Sequence, residues 1–91
     1  MWDQSSKPRV RSDLEYRELA DGGVIYDTAS ERIHTLNLTA AFIWNCCDGS
    51  HDLRAITLEL SQQANLSPEQ ALQDVQTALQ YFEHERLLRP R

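Results

Sequence analysis

Polar and apolar positions alternate over three short stretches in the first half of the chain, then switch to a spacing of three and four that lasts to the end. The stretches Leu14–Leu19, Val24–Asp27 and Arg32–Leu36 are rich in β-branched or aromatic side chains and predict strands. Asp21-Gly22-Gly23 separates the first two, where glycine supplies the positive φ of a tight reversal. Polar Thr28-Ala29-Ser30-Glu31 suits a second hairpin, so the strands predict a three-stranded antiparallel meander. From Asn37 onward the pattern is helical. Asn37 or Thr39 caps a helix reaching about Cys47, apolar nearly all round and stopped by Asp48-Gly49. Asp52 caps a second, with Leu53, Ile56, Leu60 and Ala64 on its buried face. Ser67, Pro68 and Gln70 form a capping-box start for a third, which buries Leu72, Val75, Leu79 and Phe82. The string is βββααα, an α+β fold whose closing helix pair resembles a helix-turn-helix and whose hairpin resembles a wing. Residues 1–12 are polar, contain Pro8 and have no hydrophobic period, which predicts a flexible N-terminal arm ahead of a single domain at 13–91.

Composition narrows the function classes. At 91 residues, 41% hydrophobic and 25% charged, the chain supports one small core and not two domains around a catalytic cleft. The net charge of −5 combines basic ends with an acidic body. Between Ser50 and Glu85 the acidic residues Asp52, Glu59, Glu69, Asp74, Glu83 and Glu85 face Arg54 alone. That sign opposes a recognition helix approaching a polyanion, so nucleic acid and anionic membrane are not expected partners. No apolar run approaches the length of a membrane span or signal peptide, and the chain reads as cytoplasmic. His34, His51 and His84 lack metal-ligand spacing, and adjacent Cys46 and Cys47 lack the separation of a metal or redox pair. No cofactor, metal or catalytic residue is expected. A small open sheet does leave an edge strand, which either accepts an extended peptide as an added strand or is blunted by Glu31, Arg32 and His34.

The segments Arg17 through Asp27 and Ile33 through Trp44 carry a further pattern, continued by Asp48-Gly49, Leu53, Ile56, Leu60, Asp74-Val75, Leu79, Phe82 and Leu87-Leu88. Its most specific piece is Leu36-Asn37-Leu38-Thr39-Ala40 followed by an apolar helix. Over roughly residues 14–88 the chain resembles the PqqD family. The resemblance implies a winged-helix-like, non-catalytic chaperone for the leader segment of ribosomally made precursor peptides. Such a protein holds the leader along its third strand, in a groove closed by the third helix. It presents the rest to a maturation enzyme: a radical-SAM protein, a protease or a kinase-like partner. Carried onto this chain, the ladder comes from Glu31, Arg32, Ile33, His34, Thr35 and Leu36. The helical wall comes from Ala71, Asp74, Ala78 and Tyr81, with Val75 beside them. Cys46-Cys47 stands where larger aliphatics are common in the family. His34 stands where an aliphatic is common, leaving open whether that position faces core or peptide. The alternatives are a small winged-helix DNA-binding regulator and a structural subunit that forms a homodimer through its open edge.

Overall fold

A computed structural model describes residues 3–89. Three strands, β1 (Glu15–Leu19), β2 (Gly22–Asp27) and β3 (Arg32–Asn37), precede three helices, α1 (Leu38–Cys46), α2 (Leu53–Ala64) and α3 (Pro68–His84). The sheet has the order β1-β2-β3 and is antiparallel throughout. β2 begins two residues earlier than the glycines suggested, because Gly22 pairs with Leu19 and Gly23 with Glu18, leaving Ala20 and Asp21 to make the reversal. Side chains are excluded at both positions: a Cβ on Gly22 would run into the Leu36 carbonyl, and one on Gly23 into the Tyr16 ring. In the second hairpin the Asp27 carboxylate accepts from the amides of Ala29 (3.2 Å) and Ser30 (3.4 Å), and Glu31 takes a left-handed φ of 56°.

Each helix starts where a short polar side chain accepts from a first-turn amide. Asn37 accepts from Ala40 at 2.8 Å, Asp52 from Ala55 at 2.8 Å and Ser67 from Gln70 at 3.2 Å. The third cap is half of the expected box. The Gln70 side chain reaches forward to Asp74 Oδ1 at 2.9 Å instead of back to Ser67. α1 packs against β2, β3 and both other helices, which explains its apolar circumference. Ile25, Ile43, Leu53, Ile56, Leu79, Phe82 and Leu87 are fully buried, and Trp44 bridges the layers, edge-on to Phe82 at 5.1 Å and stacked with Tyr16 at 6.1 Å. Ala64, expected inside, is exposed in the last turn of α2; Leu72 is only half-buried.

Of the N-terminal arm expected at residues 1–12, residues 1 and 2 lie outside the described residues. From Ser6 onward it is laid along the body: Ser6 O accepts from Leu53 N, Pro8 O from Gly49 N and Arg9 O from Arg89 N, while Val10 N donates to Cys47 O. Pro8 is fully buried. The Arg11 guanidinium donates to Asp13 (2.7 and 3.0 Å), the Arg86 carbonyl (2.8 Å) and buried Asp27 (3.3 Å). Pairing through isolated bridges, Arg9 with Asp48 and Val10 with Leu88, imposes no sequence period, which is why the segment read as unstructured. Cys46 and Cys47 are both free, buried thiols that pack as small hydrophobes.

Candidate functional site

β3 lies at the edge of the sheet, with β2 on one side. In an antiparallel pair alternate residues direct their amides and carbonyls toward the neighbour, so half of the polar backbone groups of β3 face away from β2. The pleat sends His34 and Leu36 into the core, 3% and 4% exposed, and leaves Ile33 66% exposed on the opposite face. This answers the question left open at position 34.

Beside the Asn37 end of this edge runs a cleft of about 390 Å³ between β3, the start of α1 and one face of α3. Leu36, Ala40, Ile43, Ala78 and Phe82 supply its apolar lining; Thr35, Asn37, Asp74, Thr77 and Tyr81 supply polar groups. Asp74, Thr77, Ala78 and Tyr81 stand at steps of three and four, one stripe of a helix.

At the Arg32 end, side chains join strand to helix. His34 Nδ1 and the Tyr81 hydroxyl form a hydrogen bond of 2.9 Å, with the rings edge-on. Arg32 Nη2 comes within 2.7 Å of Glu85 Oε1, off the hydrogen-bonding direction, so that buried oxygen is compensated by charge without a hydrogen bond. His34 Nδ1 lies 4.0 Å from the same oxygen. Burial raises the Tyr81 pKa, the Glu85 charge adds to the rise and Arg32 opposes it. Tyr81 therefore stays a neutral hydroxyl at physiological pH, able to donate to or accept from His34.

Of the residues named from sequence, Thr35, Leu36, Asp74, Ala78 and Tyr81 meet at the cleft. Arg32 and His34 sit at its closed end, Ile33 points to the other face of the sheet and Glu31 lies in the turn before β3. Ala71 and Val75 are elsewhere: both are 0% exposed, inside the core. The first position of the stripe, Ala71, is packed in the core and does not line this cleft, whereas Asp74, Ala78 and Tyr81 do. Thr77 was missed although its spacing from Asp74 and Tyr81 marks it; Thr39, Ala40 and Ile43 come from α1 and carry no such signal. Among the described residues no cluster of three or more His, Cys, Asp or Glu side chains is placed to hold a metal, and no helix is long and apolar enough to cross a membrane.

The family model for coenzyme PQQ synthesis protein D (PqqD) matches residues 22–88, from the start of β2 to beyond α3. The chain belongs to the PqqD family. No curated protein matches the sequence. Two solved structures share the PqqD-family fold at a TM-score of 0.80. One is TbiB1 in complex with the TbiA(beta) leader peptide, 12% identical, aligned over 91% of this chain and 96% of its own. The other is the solution structure of the PqqD truncation of Methylobacterium extorquens PqqCD, described as a stand-alone recognition element for ribosomally synthesized and post-translationally modified peptides. It is 21% identical over 99% of this chain and 96% of its own. The βββααα order read from the sequence is thus the fold of PqqD recognition elements.

Proposed function

We propose that this PqqD-family chain is a non-catalytic chaperone that holds the leader segment of a ribosomally made precursor peptide as a fourth strand on β3 and presents the remainder to a modifying enzyme. The observation that carries this reading is the juxtaposition of an edge strand with a side-chain cleft: unpaired backbone groups of Arg32–Asn37 run beside the hollow walled by Asp74, Thr77, Ala78 and Tyr81. Backbone pairing supplies affinity for any extended chain, and the cleft selects the side chain that enters it. Family membership and the leader peptide in the TbiB1 complex support the same reading. The backbone contacts fall to Glu31 through Leu36, with Asp74 placed to pair with a basic leader residue. The enzyme receiving the peptide is of the radical-SAM, protease or kinase-like class, and the pair works in the cytoplasm without a cofactor on this chain.

The test is a titration of isotopically labelled protein with the synthetic leader of the precursor encoded in the neighbouring gene. Micromolar binding, about −8 kcal/mol, should perturb amides of residues 31–37 and 74–82. Binding with shifts confined to α2 or the β1–β2 hairpin would refute the placement.

A further inference from the structure

We infer that the leader is gripped at two places, and that a second groove beyond the start of α1 takes the residues preceding the strand added to β3. This rests on the reading above and adds to it a second subsite with its own chemistry. The cleft beside β3 is asymmetric. The His34–Tyr81 hydrogen bond and the Arg32–Glu85 ion pair tie strand to helix at one end, whereas the lining at the other continues through Asn37 to Thr39 and Ala40 at the start of α1. A guest strand antiparallel to β3, the orientation of both existing pairings, runs from the Asn37 end toward Arg32. Its preceding residues therefore arrive at the N-terminus of α1.

A second hollow of about 480 Å³ begins there, and Thr39 lines both. It lies between the β1–β2 hairpin, α1 and α2. Leu19 and Leu38, 42% and 63% exposed, border it above Phe42 and Ala41. Two large aliphatic side chains left in water on either side of one apolar hollow mark a surface that gains by being covered. The charged group in its lining is Glu18, and Asn45 and Gln63 add neutral polar groups. The occupant that fits is an apolar leader side chain beside a lysine or arginine, continuous in the chain with the segment on β3.

Leu38→Asp tests this, because Leu38 does not line the first cleft and a carboxylate in the first turn of α1 suits the helix dipole. Leu19→Gln on β1 is the second variant, and circular dichroism checks that both fold. The probes are the synthetic leader used above and a version truncated just before the segment that pairs with β3. The full leader should bind either variant roughly tenfold more weakly than it binds the wild type. The truncated leader should bind the wild type weaker by a similar factor and should not distinguish wild type from the variants. Equal affinity of full and truncated leaders, or full-leader binding unchanged by both substitutions, overturns the second subsite and leaves the chaperone reading standing. If neither peptide binds the wild type, the chaperone reading itself fails.

Discussion

Substituting leucine at two alanines of α3 separates a cleft wall from a packed core. Ala78 is 8% exposed and borders the cleft of about 390 Å³; Ala71, two turns earlier, is 0% exposed and does not line that cleft. Leucine is nearly as good a helix former as alanine, so propensity contributes only a few tenths of a kcal/mol, about 0.2, in either case. At position 78 the added carbons extend into the hollow, and folding stability should change by less than about 1 kcal/mol. They occupy the space a leader side chain would fill, however, and burying such a side chain is worth about 1.5–3 kcal/mol. Its loss raises Kd by about 10- to 100-fold, moving a micromolar complex to tens or hundreds of micromolar. At position 71 the same carbons have nowhere to go, and overpacking costs about 1–3 kcal/mol of stability, while the folded fraction binds normally. Fluorescence anisotropy with a labelled leader measures the first effect and urea unfolding the second. Wild-type affinity in folded Ala78→Leu, or lost affinity at unchanged stability in Ala71→Leu, would refute the assignment of the wall.

Three further outcomes test the fold around the site. The Tyr16 hydroxyl is buried without a hydrogen-bond partner, so Tyr16→Phe should leave stability unchanged or raise it by about 1 kcal/mol; a clear loss in urea unfolding would show that the hydroxyl has a partner. Asp27 is shifted below the ordinary carboxylate range although desolvation opposes this, because Ser30 and then Arg11 outweigh it. A depressed folded pKa contributes stability that is present above the unfolded value of about 4 and is lost as pH falls through the folded one. The difference in Tm between wild type and Arg11→Ala should therefore be widest near neutral pH and shrink on acidification; a constant gap would contradict the pairing. Burial pushes the Cys46 thiol up to about 11 and the Cys47 thiol up to about 12, with Glu59 and Cys46 respectively adding to it. Iodoacetamide at neutral pH should therefore spare both in the native protein and label them on unfolding, as read by mass spectrometry.

The parts of this architecture that depend on neighbours in sequence are legible in the sequence itself. Asn37, Asp52 and Ser67 cap helices because the amide each accepts from lies three residues on, a relation fixed by local geometry. The β3 edge was legible too, since a meander of three strands must leave its third at the rim. The cleft was half legible. Asp74, Ala78 and Tyr81 share a stripe that spacing reveals, but spacing does not say where along α3 the buried face gives way to the cleft, and Ala71 on the same stripe is packed in the core.

Local pattern, then, determined the six elements, their caps, their order and most of the buried seam of α2 and α3, because strand and helix periods follow from backbone geometry and solvent exclusion. Tertiary structure alone decided that residues 6–11 are stitched to the body through single bridges, that His34 turns inward to Tyr81 and Glu85, and that α1 contributes Thr39 and Ala40 to the hollow beside β3. The first two join positions far apart in the chain through one or two residues, and the third depends on how α1 turns away from β3; none of these leaves a repeat for a sequence to display.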